Sequence, residues 1–298
     1  MIDVQAARER IAARIRHTPV LRSGPTTWFK LEYLQHAGSF KTRGMFNQIL
    51  AAAPLPPAGI IAASGGNAGL AAAYAARELG VPAEVFVPVT APPVKVAKLG
   101  RLGARVTQAG AEYAEAYAAA VERRDRTGAL FCHAYDDPEM VAGNGTVALE
   151  LSSQLAFDTV LVAVGGGGLL GGVIAAVGSH ARIVGVEPFG AAALHAALAA
   201  GAPVDVPVSG VAADSLGARR VGRIAYDLAA AAGVQSVLVE DKTIVAARAA
   251  LWDEHRIVVE HGSAAAYAAL HSGAYLPERG ERVVVLLCGA NTDPADLS

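Results

Sequence analysis

Lys41 is one of five lysines in this 298-residue chain. It alone sits in a compact turn, Ser39-Phe40-Lys41-Thr42-Arg43-Gly44, after Gly38 and ahead of a helix-like run from Met45 to Ala53. A lysine amine becomes a nucleophile when burial or a neighbouring cation lowers its pKa. Arg43 is the candidate cation, and Phe40 is the candidate wall for a flat ring. Together they suit a lysine that forms an imine with a carbonyl cofactor. A solvated lysine at a helix start is the plain alternative, so the reading depends on the rest of the chain.

Four further stretches carry chemistry-bearing residues. Gly165, Gly166, Gly167 and Gly168 follow a buried-strand run, Asp158 to Val164, and open a helix. Free N–H groups at such a helix start can wrap a phosphate. Gly166, Gly168 and Gly171 also spell GxGxxG, and Glu187 ends the next strand where a ribose-binding acid would sit. A dinucleotide site is therefore a second reading, although almost any spacing fits a glycine-rich run. Ser64-Gly65-Gly66-Asn67 forms another strand-to-helix turn. Its hydroxyl, amide and N–H groups could hold a carboxylate, or Ser64 or Asn67 could simply cap the helix. Cys288-Gly289-Ala290-Asn291 ends the last buried strand, and ligands of open parallel sheets bind at strand C-termini. Cys288 is a weak donor for a ring nitrogen or a buried apolar thiol. Glu260, ahead of His261-Gly262-Ser263, is a possible acid or a carboxylate at a helix start.

The elements that position these residues alternate. An amphipathic helix is expected over 3–16, with Asp3 as its cap, and a short strand over 27–31. Strands are expected at 59–63, 81–87, 105–107 and 130–132, with helices at 68–79, 92–99 and 112–124 between them. Gly80 suits a helix C-terminus. A helix follows over 140–154, its start interrupted by Gly143 and Gly145, then strands at 158–164 and 183–187. Residues 209–223 read as loop, Asp241 caps a helix through Asp253, and a helix over 263–270 precedes the final strand, 282–288. Alternating strands and helices predict an α/β fold with mostly parallel sheets flanked by helices.

Composition narrows the function. Hydrophobic residues make up 53% and charged residues 17%, which describes a globular chain with a large core. The net charge of −2, without a basic block, gives nucleic acid nothing to bind. Two cysteines, Cys132 and Cys288, form no metal or disulfide framework. Residues 159–179 carry no charge but include seven glycines, so a strand, loop and helix fit better than a membrane span. The expectation is a soluble cytoplasmic protein.

In order along the chain, Gly38 to Gly44, Ser64 to Asn67, Gly143-Asn144-Gly145-Thr146, Gly165 to Leu169, Glu260 and Cys288-Gly289 resemble the serine/threonine dehydratases. These are pyridoxal-phosphate enzymes of the two-lobed tryptophan synthase β-like fold. The resemblance runs from about Arg14 to Asn291. It implies a small lobe over 46–142 and a large lobe built from 1–45 and 143–298, assembled as a homodimer. It implies an aldimine at Lys41, Phe40 against the ring and phosphate held by Gly165, Gly166, Gly167, Gly168 and Leu169. Asn67 would meet the ring hydroxyl, Cys288 the ring nitrogen, and Ser64, Gly66, Asn67 and Ala68 the substrate carboxylate.

The chain departs from the family in three places. Ala68 stands where His usually follows the asparagine, which costs little if only its N–H is used. Glu260-His261-Gly262 replaces the usual Glu-Pro-Ser, so the side-chain pocket is not carried over from the family. Asp214 falls roughly where relatives place an acid for a cation, but no companion acid is evident, so no metal is assigned. No regulatory domain follows Asn291, which points away from the allosteric form.

The reaction expected is conversion of L-threonine or L-serine to a 2-oxo acid and ammonia, by α-proton abstraction and loss of the β-hydroxyl. The alternatives are an amino-acid racemase, a 3-hydroxyaspartate dehydratase, a nicotinamide-binding oxidoreductase or a non-catalytic dinucleotide sensor. In the racemases of this family a serine lies two residues before the loop asparagine and serves as the second acid. Gly65 holds that position here, which favours elimination.

Overall fold

A computed structural model describes residues 2–297. Among the described residues the strands are β1 (Val20–Arg22), β2 (Thr27–Lys30), β3 (Ile60–Ala63), β4 (Ala83–Val87), β5 (Arg105–Gln108), β6 (Leu130–Phe131), β7 (Thr159–Ala163), β8 (Arg182–Pro188), β9 (Gln235–Val239) and β10 (Val283–Leu286). They form two sheets. The larger has the order β1-β2-β10-β7-β8-β9 and the smaller β5-β4-β3-β6. Every pairing is parallel except β1 with β2.

The helices of the first half are α1 (Val4–Ile11), α2 (Lys41–Ala51), α3 (Asn67–Leu79), α4 (Pro93–Arg101), α5 (Tyr113–Thr127) and α6 (Pro138–Gln154). Those of the second are α7 (Gly168–Val177), α8 (Ala193–Ala200), α9 (Ala213–Leu216), α10 (Arg223–Ala232), α11 (Asp241–His255) and α12 (His261–His271). Helical crossovers cover the sheets, and the central strands are correspondingly apolar on both faces. All five residues of β7 and all four of β10 are buried.

Local chemistry sets the helix ends. Asp3 accepts from Ala6 N, as expected, and Gly80 ends α3 in the left-handed region at φ 68°. Glu112 and Glu115 close a reciprocal capping box on α5. Asp241 is not a cap: Glu240 holds that position, and the Asp241 carboxylate accepts from Val211 N. Four elements, β1, α8, α10 and β9, lie in stretches where none was expected, although α10 is strongly amphipathic, and α9 forms within the expected loop.

Gly143 and Gly145 do not interrupt a helix. Both lie inside α6, where they bring helices into contact. A Cβ on Gly143 would lie 2.6 Å from the Arg43 carbonyl oxygen, and one on Gly145 would lie 2.5 Å from that of Gly172. Side chains there would force α2 and α7 away from α6, and α2 begins with Lys41.

A buried ionic cluster ties α2 to the large sheet. Arg43, fully buried, makes a two-pronged contact with Glu32 at 2.6 and 2.9 Å and meets Glu150 at 2.9 Å. Lys30 holds the other oxygen of Glu150 at 2.5 Å and donates to the Thr18 carbonyl. Thr18 Oγ1 in turn donates to Glu32. Each charge in the cluster faces an opposite one, which buried charges require.

Candidate active site

The chain's chemistry-bearing turns meet where both sheets end. The carboxyl ends of β3, β7 and β10 lead into the turns at 64–66, 164–167 and 287–291, and α2 starts beside them. Phe40 N donates to the Cys288 carbonyl at 3.0 Å, so the Lys41 turn is hydrogen-bonded to the end of β10.

The Lys41 amine points inward and donates to the Ala134 carbonyl at 2.5 Å. It lies 4.9 Å from the centre of the Phe40 ring. Burial pulls its pKa down from 10.5 to about 8, against the opposing influence of Cys288 and Glu260. Arg43 is not the cause. Its guanidinium is neutralised by Glu32 and Glu150, so desolvation does what the neighbouring cation was expected to do.

The two loop-to-helix turns have the ends that anions use. Helix α3 starts after Gly66 and α7 after Gly167, and neither has a side-chain cap. Capping by Ser64 or Asn67 is therefore not how α3 begins. The first N–H groups of both helices have no partner within the helix. Gly167, at φ 86°, takes a backbone shape that other residues avoid. A Cβ on Gly166 would lie 2.3 Å from the Tyr135 ring, and one on Gly168 would lie 2.8 Å from the Tyr135 carbonyl oxygen. The loop is thus a backbone cradle roofed by Tyr135. Leu169 and Ala68, next in each helix, are buried, so they offer N–H groups and not side chains.

Asn67 is held at both ends of its amide. Its Nδ2 donates to Glu260 at 2.6 Å, and its Oδ1 accepts from Asn291 at 2.7 Å. One Nδ2 proton remains for a ligand. Ser64 Oγ accepts from Gly66 N at 3.2 Å. Glu260, 8% exposed, is pushed up to about 7, chiefly by burial and further by the Asp214 charge. Burial likewise pushes the Cys288 thiol up to about 12, so it is neutral near pH 7. Asp214 pairs with Lys95 of α4. Among the described residues no cluster of metal-binding side chains forms.

Glu187 is committed elsewhere. Its carboxylate accepts from Leu194 N at 2.7 Å and His195 N at 2.8 Å, capping α8. It offers nothing to a ribose, and the dinucleotide reading loses its acid.

Two features were not anticipated from the sequence. The segment after β6 supplies both the Ala134 carbonyl and the Tyr135 roof, and Lys95 with Asp214 borders the cleft. The signal for the first was Asp136-Asp137-Pro138. Asp137 caps α6, and Asp136 accepts from Arg223 N and Ile224 N at the start of α10. Two helix-capping acids beside an aromatic mark a rigid strand-to-helix corner.

Residues 11–289 match the family model described as pyridoxal-phosphate dependent enzyme. The chain is 37% identical to an L-threonine ammonia-lyase of Geobacter sulfurreducens, covering 99% of this chain and 76% of that one. It is equally 37% identical to a phenylserine dehydratase of Ralstonia pickettii, covering 98% and 93%. Maize serine racemase superposes with a TM-score of 0.92 at 29% identity, covering 99% and 94%. The residues present fit the cofactor. A cradle that any Cβ would fill, two helix starts without side-chain caps, a desolvated amine and a neutral thiol are the donors it needs.

Proposed function

Because the chain belongs to the family of pyridoxal-phosphate dependent enzymes, we propose that it is a dehydratase, an ammonia-lyase for β-hydroxy-α-amino acids. The substrates we assign are L-threonine and L-serine, converted to a 2-oxo acid and ammonia. The observation that carries the reading is the Lys41 amine, pulled to about 8 beside an uncapped carboxylate turn and a glycine cradle.

Pyridoxal phosphate, when bound, supplies an electron sink for the substrate α-carbon. In this proposal the N–H groups of Gly165, Gly166, Gly167, Gly168 and Leu169 hold its phosphate. Phe40 would wall its ring, the second Nδ2 proton of Asn67 would be available to its hydroxyl, and the neutral Cys288 thiol to its nitrogen. The N–H groups of Gly66, Asn67 and Ala68, with the Ser64 hydroxyl, take the substrate carboxylate at the positive end of α3. Lys41 Nζ would hold the cofactor's carbonyl carbon, and its amine is the base placed to take the α-proton. Glu260, pushed up to about 7 by burial, can hold a proton near Asn67. A thiol at the ring nitrogen lacks the charge to keep that nitrogen protonated, which favours elimination over transamination.

The small lobe, over 46–142, carries the four-stranded sheet in this reading, and 1–45 with 143–298 carry the other. Both boundaries fall inside helices, α2 and α6, that pack together. We further propose a cytoplasmic homodimer. Among the described residues no helix is long and apolar enough to cross a membrane.

Elimination against racemisation is the decisive test. Gly65 has no side chain to return a proton from the face opposite Lys41. With L-serine, pyruvate and ammonia are expected with little D-serine, measured by chiral chromatography. A Cβ at Gly65 would meet nothing nearer than Val87 Cγ1 at 3.4 Å, so Gly65→Ser fits and is expected to raise D-serine. D-serine formed by the wild type as fast as pyruvate would overturn the assignment.

A further inference from the structure

The turn at 64–67 opens into a cleft of about 440 Å³, and the side chains around it carry both signs. Among them are Lys95 and Lys98 from α4, Asp214 from α9 and Glu260 ahead of α12. Two of these residues lie directly over the turn. A Cβ on Gly65 would lie 4.0 Å from Lys95 Cδ, and one on Gly66 would lie 4.0 Å from the Asp214 carbonyl oxygen. Lys95 Nζ and Asp214 Oδ1 close the span as an ion pair. Helix α4 packs on α3 and β5, whereas α9 packs on α12, so the pair crosses from the layer of one sheet to that of the other.

The pair is built to exchange partners. Lys95 is 29% exposed and Asp214 66%, so neither charge is stranded away from water when the contact opens. An ammonium has three N–H donors, and Asp214 occupies one. The other donors at the turn are neutral: backbone N–H groups and the Ser64 hydroxyl. The cleft also holds a carboxylate that reports the local field. As an anion, Glu260 is disfavoured by Asp214 and favoured by Lys95. A second carboxylate, placed on the turn, meets the same two charges with the same signs.

We infer that Lys95 is a substrate-binding residue whose ammonium takes the substrate α-carboxylate, and that Asp214 competes with the substrate for it. The place of that carboxylate, on the Gly66–Ala68 turn, rests on the dehydratase reading. Asp214 holds the ammonium over the turn. When the carboxylate arrives, Lys95 gives it a free N–H, a charge-assisted contact that the backbone donors do not supply. Lys98 lines the same cleft one turn further along α4, but no atom of it lies within 4 Å of a Cβ at Gly65 or Gly66. It carries the same charge without covering the turn.

The test is the binding of L-alanine and L-alaninamide to the holoenzyme, measured by calorimetry. L-Alanine has the carboxylate and no β-hydroxyl to lose, and L-alaninamide lacks the negative charge. Lys95→Met keeps the stem over Gly65. It should weaken L-alanine about tenfold, the loss of a hydrogen bond between charged groups, and leave L-alaninamide within about twofold. Lys95→Arg should restore most of the preference for L-alanine. Asp214→Asn should tighten L-alanine about threefold, because an exposed ion pair no longer competes. Lys98→Met should change the preference by less than about twofold, its charge being more distant and screened. With L-threonine, the Lys95→Met loss should appear in KM and spare kcat.

Weaker L-alanine binding in both Lys95→Met and Asp214→Asn overturns the inference, because the pair is then a tie between the two layers. An equal loss for L-alaninamide, or an equal loss in Lys98→Met, also overturns it, because Lys95 then does not read the carboxylate. Elimination from threonine that is indifferent to Lys95 overturns it and leaves the dehydratase reading standing. A preference for L-alanine that depends on Lys95, without elimination from any β-hydroxy amino acid, supports Lys95 and overturns the dehydratase reading.

Discussion

Two groups of buried ionisable residues adjoin the Lys41 turn, and they are built on opposite principles. In the cluster of Lys30, Glu32, Arg43 and Glu150, every charge meets an opposite one within 3 Å. In the site, Lys41 donates to a neutral carbonyl, Glu260 accepts from a neutral amide and Cys288 is a protonated thiol. The first group satisfies its charges by pairing. Burial lowers the Lys30 pKa in the first group as well, against the pull of Glu150; in the second, desolvation, which disfavours whichever form is charged, acts without an opposite charge in hydrogen-bonding reach. Paired buried charges mark architecture, whereas unpaired ones in a cleft mark chemistry. Arg43 and Lys41, two residues apart, fall in different groups.

Mutations should separate the two groups. Lys41→Ala should reduce turnover by at least about 1,000-fold, more than ~4 kcal/mol in the barrier, with little change in melting temperature. Steady-state assay and calorimetric melting check both halves. Activity within about tenfold of wild type would remove Lys41 from the mechanism.

Arg43→Met should do the reverse and destabilise the fold by about 3–5 kcal/mol, because Glu32 is left charged and buried. Urea denaturation measures it. The double variant Arg43→Met with Glu32→Met should lose less than Arg43→Met alone, since Glu150 keeps Lys30. An equal or larger loss in the double variant would mean that packing, not charge pairing, is what Arg43 provides.

Glu260 gives the smallest effect and the sharpest contrast. Its folded-state pKa is raised from 4.5 to about 7. The stabilisation from holding that proton is complete below about pH 4.5 and is lost as pH rises through about 7. Glu260→Gln keeps the acceptor for Asn67 and removes the titration. The stability of wild type relative to this variant should fall by on the order of 2 kcal/mol between pH 5 and 8. Parallel curves across that range would place Glu260 with the paired group.

Much of this was legible from local pattern. Strand and helix alternation, the strand-to-helix position of Ser64–Asn67 and Gly165–Gly168, and the end of the last strand at Cys288 depend on periodicity and turn chemistry, which act over a few residues. The same locality explains the misreadings. Gly143 and Gly145 look like helix breakers until the backbones of α2 and α7 are seen against them. Glu187 looks like a ribose ligand until it caps α8.

The sequence by itself determined the fold class and the family, because strand-helix alternation and short motifs are written in local pattern, and it singled out Lys41 and Gly165–Gly168 as candidates. The tertiary structure alone decided what lowers the Lys41 pKa, since Arg43 is paired with Glu150, 107 positions away, and Lys41 is buried beside Glu260 and Cys288 from the far end of the chain. It also decided which helix starts stay uncapped and that Tyr135 roofs the glycine loop. Those contacts form only when β6 pairs with β3 and the corner after it meets the turn after β7. Charges and rings distant in the chain have no local signature; desolvation and contact exist only once the sheets are assembled.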